Sequence, residues 1–296
     1  MPANLLYLLV TLSAFFWGAN FVLAGWVLAD MPPLWAAALR FLIAAALMLV
    51  VAGRRGEGLW QLVRRHAAVY GLLGLVGVAG FNLLFFNAMQ ATSAENGALI
   101  MATNPLLTTV LAALLLGERI GRRHLAALPV ALAGVAVVVF HGDLSRVAGL
   151  QVATGDLLML AANVTWALFN VGSRRYMPQA SPIANNALLL TAGAGVLLVA
   201  AMAGDAQFAM PGLPAGAALL IMALAGTVLA YVFWGIGIQH LGAGRTSLFL
   251  NLVPVSAMLV SGLLGHRPMP AQVVGGLLVL AAVTTAMMPV RRPAAA

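Results

Sequence analysis

The chain has 296 residues, 63% of them hydrophobic and 7% charged, with a formal net charge of +8 and no cysteine. Its 15 basic residues are all arginine. The missing lysine excludes a Walker A nucleotide site and a retinal Schiff base, and the missing cysteine excludes disulfides and thiolate chemistry.

The first apolar segment, 5–28, comes after the uncharged stretch Met1 to Asn4. It lacks the basic region and cleavage site of a secretory signal, so it is expected to stay in the mature protein as a span. On it Trp17, Asn20, Phe21 and Ala24 fall at i, i+3, i+4 and i+7, one face of a helix. The second segment, 34–52, carries Arg40, the one arginine deep in a hydrophobic stretch. A charge at the bilayer centre costs about 2.5–3.5 kcal/mol, so it is expected to face a cavity or a partner. Three readings stand for Arg40: it receives a substrate carboxylate, it pairs with Glu95 or helix carbonyls, or it snorkels outward.

Segment 67–89 contains Gly71, Gly74, Gly77 and Gly80, small residues that let a neighbouring helix approach or slide, and then Asn82 and Phe85 on a common face. Segment 94–116 opens with Glu95, where the helix dipole favours an acid, and is interrupted near its centre by Pro105, which permits a kink. Segment 124–141 completes the first half. The second half reads 155–173, 182–203, 213–240, 245–265 and 271–289. On its first helix Asn163, Trp166, Ala167 and Asn170 share a face; Tyr231 and Trp234 share one on its third, and Pro254 interrupts its fourth. Each segment is near the ~20 apolar residues that cross a ~30 Å hydrocarbon core.

At a constant offset of 149, Trp17 matches Trp166, Gln90 matches Gln239, Ala94 matches Ala243 and Pro105 matches Pro254, while Asn82 falls on Tyr231 and Phe85 on Trp234. Two copies of five spans, 1–148 and 149–296, are therefore expected to form one all-α membrane body. An odd-numbered copy enters the membrane from the side opposite to its twin, so ten transmembrane helices are expected as two inverted-topology five-helix repeats around a central cavity. Trp17, Asn20, Asn82, Phe85, Asn163, Trp166, Asn170, Tyr231 and Trp234 would line that cavity as substrate-binding residues, with Arg40 beside them. The competing explanations are interfacial aromatics, amides that bond between helices for about 0.6–2 kcal/mol, and proline kinks with a structural role alone.

Counted by alternate loops, Arg54, Arg55, Arg64, Arg65, Arg119, Arg122, Arg123, Arg174, Arg175, Arg245, Arg291 and Arg292 lie on the side of the N-terminus, against Arg146 and Arg267 opposite. That bias puts both termini in the cytoplasm. It also makes anionic lipid headgroups, not nucleic acid, the expected contacts of the positive charge. The carboxylates Asp30, Glu57, Glu118, Asp143, Asp156 and Asp205 sit at segment edges or in loops. No mid-membrane proton carrier is therefore evident. His66, His124, His141, His240 and His266 lie at segment ends without metal-ligand spacing. Gly242 and Gly244 lack the strand a dinucleotide fingerprint requires. No enzyme signature, metal site or cofactor is expected.

The stretches Phe16-Trp17-Gly18-Ala19-Asn20-Phe21, Leu39-Arg40-Phe41, Asn104-Pro105-Leu106-Leu107 and Leu116-Gly117-Glu118-Arg119 resemble the drug/metabolite transporter superfamily, EamA type. Within it the chain looks most similar to the YddG-type aromatic amino acid exporters of bacterial inner membranes. The resemblance spans the whole chain and implies ten helices in five-plus-five arrangement, a central substrate cavity and export from the cytoplasm. The second copy departs from it, with Leu252-Val253-Pro254 for Thr-Asn-Pro and Gly265-His266-Arg267 for Gly-Glu-Arg, so a role tied to Glu118 need not be symmetric. The expected function is secondary export of small metabolites, above all aromatic and other apolar amino acids, by alternating access. A sugar, nucleotide-sugar or drug carrier is the rival within the class, and a channel or membrane scaffold subunit the rival outside it. The expected partners are the small-molecule substrate and membrane lipids, and the sequence leaves the oligomeric state open, a monomer included.

Overall fold

A computed structural model of the chain describes residues 1–89, 91, 97, 100–140, 142, 143 and 154–287. Gln90, Ala94, Glu95, His141, Arg146, Arg291 and Arg292 lie outside the described residues. Within them every regular element is helical. We number the helices α1 Ala3–Asp30, α2 Pro33–Arg54, α3 Leu59–Met89, α4 Ile100–Leu116, α5 Arg122–Val139, α6 Thr154–Tyr176, α7 Pro182–Ala203, α8 Leu213–Leu241, α9 Ala243–Leu263 and α10 Pro270–Met287. Seven of them, α1, α2, α3, α5, α7, α8 and α9, are long and apolar enough to cross a membrane; α4 and α10 are shorter apolar helices. The chain is thus a multi-pass membrane protein.

Local chemistry sets the helix ends. Pro33 and Pro182 occupy the first turns of α2 and α7, where a missing N–H costs nothing. The Ser181 hydroxyl accepts from the Ala184 amide at 3.0 Å and caps α7. α4 ends on Gly117 in the left-handed region, φ 66°, and α8 turns into α9 through Gly242 alone, φ 92°. α3 starts at Leu59, eight residues before the apolar run at 67 that marks it in the sequence, and bends at His66, φ −132°. Its polar lead-in carries an exposed Trp60, an amphipathic ring of the kind that sits at a membrane interface.

Neighbours exchange in a regular way between the halves. α1 lies against α8 and α9, and α6 lies against α3 and α4; α2 pairs with α7, and α5 with α10. α5 and α10 approach most closely where Gly134 faces Gly275: a Cβ added at Gly134 would meet the Gly275 carbonyl at 2.8 Å. The main core runs through the middle of this arrangement and includes Val10, Phe41, Val78, Trp166, Phe169, Leu189, Trp234 and Val279.

Two irregularities also recur in both halves, the first of them at the offset of 149. α3 widens to π-helix over Leu75–Gly80, and α8 does the same over Leu224–Leu229. α4 is interrupted at Thr103, and α9 tightens to a 3-10 turn over Leu248–Asn251. Pro105 and Pro254 follow within three residues of these breaks, as expected of a residue that cannot donate to the preceding turn.

Candidate transport site

Rings from α1, α2, α3, α6 and α8 meet at the centre. Trp17 touches Trp166 edge-on at 5.4 Å between centroids, Tyr231 at 6.0 Å and Trp234 at 4.8 Å. Trp166 and Tyr231 stand 6.0 Å apart, also edge-on. These four are among the residues that the sequence places on facing surfaces. Three further rings close the cluster: Phe41 on Tyr231 at 6.0 Å, Phe81 on Trp166 at 5.3 Å, and Phe169 on both Trp166 and Tyr231, at 5.1 and 6.3 Å. Phe85 joins at the rim, stacked on Phe81 at 5.7 Å and facing Phe21 at 6.5 Å. Trp166, Tyr231 and Trp234 are buried and Trp17 is half-buried, so the rings fill the centre instead of bordering an open space. Edge-to-face contacts of this kind stabilise by about 0.5–1.5 kcal/mol each beyond burial, yet offset stacking would serve an inserted ring equally well.

The amides divide. The Asn170 Oδ1 accepts from Trp234 Nε1 at 2.8 Å. An indole N–H only donates, so the atom facing it must be the oxygen. The Asn170 Nδ2 is then left buried without a hydrogen-bond partner among the described residues. Asn20 fills the space in front of Gly226, whose carbonyl accepts from Trp17 Nε1 at 3.0 Å. Asn82 instead donates to the Val78 carbonyl of its own helix at 2.7 Å. Asn163 is committed to α4: its Nδ2 donates to the Ile100 carbonyl at 2.7 Å and the Thr103 hydroxyl at 2.9 Å, and its Oδ1 accepts from Asn104. Thr108 completes this buried set by donating to Asn104 Oδ1 at 3.0 Å. Asn163 therefore holds α6 to α4 in this arrangement, with Ile100, Thr103 and Asn104 as its partners, whereas Asn82 is used within α3; Asn104 is in turn bonded by Thr108. The polar i, i+4 pair Asn104 and Thr108, beside Pro105, is the signal in the sequence that marks the last of these.

Arg40 lies half-buried in α2 with its guanidinium carbon 4.6 Å from the Phe41 ring centroid. Such a cation–π contact supports a desolvated cation but does not neutralise it. Its Nε is buried with no hydrogen-bond partner among the described residues. It borders a void of about 30 Å³ shared with Ala24, Phe86, Leu219 and Met222. A group of three or more His, Asp or Glu that could hold a metal ion does not occur among the described residues.

At the end of the bundle where α4, α6 and α8 finish, one carboxylate joins the two halves. Glu118 accepts from the amides of Ala243 at 3.0 Å and Gly244 at 3.3 Å, and lies 3.7 Å from Arg174. Arg174 also donates to the Gln239 carbonyl, and Gln239 Nε2 donates to the Ser173 carbonyl at 3.1 Å. Only glycine fits at Gly242, since a Cβ there would meet the Glu118 carboxylate at 2.7 Å. Thr109 adds a bond to His124 at 3.0 Å. A cleft of about 240 Å³ surrounds this junction, bordered by Arg119, His124, Arg174 and Arg245. Glu118 is conspicuous in the sequence as part of Gly-Glu-Arg, but its partners are not, because they lie 56 to 126 positions away.

The chain matches the family model described as the EamA-like transporter family twice, over residues 4–140 and 153–288. It is 36% identical to an uncharacterized transporter, YyaM, of Bacillus subtilis (strain 168), covering 97% of this chain and 95% of that protein. It is 28% identical to a probable amino-acid metabolite efflux pump of Salmonella typhimurium (strain LT2), over 90% of this chain and 89% of that protein. A solved crystal structure of a 22% identical protein shares the fold, with a TM-score of 0.80 over 96% of this chain and 97% of that one.

Proposed function

We propose, from the premise that this chain belongs to the EamA-like transporter family, that it is a secondary transporter exporting aromatic and other apolar amino acids from the cytoplasm by alternating access. All ten helices span the bilayer in this reading, as two inverted repeats, 1–148 and 149–296, in a bacterial inner membrane. The arginine bias puts both termini in the cytoplasm.

The observation that carries the substrate class is the convergence of Trp17, Trp166, Tyr231 and Trp234 on one point, with the free amide of Asn170 and the Arg40 guanidinium nearby. The rings separate to take the substrate's side chain between them. Asn20 and Asn170 meet its polar end, and Arg40 supplies the positive charge for its carboxylate. Asn163 and Phe85 act from behind, the first holding α6 to α4 and the second backing Phe81, while Asn82 is used within α3. Pro105 and Pro254 give α4 and α9 the bends that let them move. The amino-acid efflux role in the name of the Salmonella relative agrees with this class.

Glu118 closes the cytoplasmic end by tying α4 to α6 and α9. The second copy has Gly265-His266-Arg267 in place of Gly-Glu-Arg, so the opposite end must close by different chemistry. Counterflow into proteoliposomes loaded with single compounds tests the reading: labelled phenylalanine should accumulate against internal phenylalanine or tryptophan, with no pH difference imposed. Accumulation driven only by sugars or organic cations would replace the substrate class. Non-saturable flux would point to a channel.

A further inference from the structure

The two π-helical segments are the least expected feature of this bundle, and they obey the repeat residue by residue. Leu75–Gly80 and Leu224–Leu229 are each six residues long and are related by the same offset of 149 that relates Trp17 to Trp166. Both lie directly before the rings their helices contribute: Phe81 and Phe85 on α3, Tyr231 and Trp234 on α8. Each also contains a glycine at the same place, Gly77 and Gly226.

Those glycines are seats. A Cβ at Gly226 would collide with the Asn20 side chain of α1, and a Cβ at Gly77 would collide with the Phe169 ring of α6. Asn20 and Phe169 are themselves equivalent at the offset. The leading helix of each copy therefore plants one side chain on the π segment of the other copy. On the α8 side two bonds fix the wide turn: Thr227 Oγ1 donates five residues back to the Met222 carbonyl at 3.1 Å, and Trp17 Nε1 donates to the Gly226 carbonyl at 3.0 Å.

A π turn is one residue more than an α-helix needs, and it converts to α geometry by passing that residue along the helix. Passing one residue rotates the downstream part of the helix by about 100°. In α3 and α8 that downstream part carries the ring face of the transport site. We propose that Gly77, Gly226 and Thr227 are positioning residues of two register hinges, and that α3 and α8 turn their rings toward or away from the substrate by shifting these π segments. The proposal rests on the transporter reading above. The difference between the seats sets an order: the amide seat, bonded through Trp17, responds to substrate directly, and the phenyl seat responds second, through Phe169, which touches Trp166 and Tyr231.

Deleting one residue from a π segment leaves a continuous α-helix with both flanks on their original faces, so deletion of Ala79 and deletion of Val228 remove the hinges and keep the site. Each variant should purify monodisperse and keep phenylalanine affinity, read as its thermal shift, within roughly threefold of the wild type, while the maximal counterflow rate falls roughly tenfold or more. Wild-type rates in either deletion would overturn the proposal. Loss of affinity in a folded variant would also overturn it, by making the segment part of the binding surface. For a deletion that does not fold, amide exchange on the unaltered protein decides: both segments should change exchange rate roughly tenfold or more with saturating phenylalanine, and unchanged rates refute the hinge. A wild-type protein with no counterflow of any amino acid would instead defeat the amino-acid reading on which the proposal rests.

Discussion

Replacing Glu118 by alanine should open the end of the bundle at which α4, α6 and α8 finish. The carboxylate holds two backbone amides, at 3.0 and 3.3 Å, in a partly exposed setting. Bonds to a charged acceptor are worth up to about 3 kcal/mol when buried, and partial exposure brings each to about 1 kcal/mol. The ion pair to Arg174, with the two side chains 36% and 23% exposed, adds about 0.5 kcal/mol. The sum, roughly 2.5 kcal/mol, is a factor of roughly 60 in the closed-to-open ratio. Because the chain has no cysteine, Ser173→Cys introduces a sole thiol. Ser173 is 3% exposed and lies one residue before Arg174. Its reaction with N-ethylmaleimide reads the open population: Glu118→Ala should raise the labelling rate roughly 60-fold, and Glu118→Gln, which keeps one acceptor, by less. A rate within about twofold of the parent for both variants would refute the latch, since RT ln 2 is far below the bond energies assigned.

Three other outcomes are expected. Arg40→Gln should fold normally and lose roughly tenfold or more of counterflow for phenylalanine while keeping that for its amide, which has no carboxylate; equal loss for both would make Arg40 structural. Trp166→Ala should cost about 3–5 kcal/mol of stability, because it empties a site that is 5% exposed, whereas Trp17→Ala, at a half-buried position, should unfold only a few degrees lower; thermal melts in detergent separate the two. A C-terminal fluorescent fusion should be bright and a C-terminal phosphatase fusion silent, placing the terminus in the cytoplasm; the reverse pattern would invert both repeats.

The repeat is legible because scarce residues, Trp17 with Trp166 and Pro105 with Pro254, survive at one offset in a chain of alanine and leucine. The aromatic centre is legible for a related reason: Trp17, Trp166, Tyr231 and Trp234 show a helical spacing that the structure brings to one point. Phe41, Phe81 and Phe169 are not, because a phenylalanine in a membrane helix carries no signal that separates core from lipid face. Polarity misleads where it marks helix contacts. Asn163 looks like a ligand-binding amide, but its side-chain polar atoms are used by Ile100, Thr103 and Asn104, a pairing decided by which helices are neighbours. The start of α3 is hidden since Leu59 to Arg65 is amphipathic and carries two arginines. The π segments are invisible too, for a π turn differs from an α turn by one residue of register and leaves composition unchanged; the glycine run of α3 signals only a contact surface.

The central claim is that the ring cluster is where an aromatic amino acid binds and crosses. Counterflow of labelled phenylalanine, measured as initial rate against concentration in proteoliposomes of the wild type and of the folded Trp17→Ala variant, addresses it directly. The account predicts a saturable rate in the wild type and a rise in KM of roughly tenfold in the variant, the loss of about 1.4 kcal/mol expected when one stacking face is removed. A rate that never saturates, or a KM that is the same in both proteins, would contradict it.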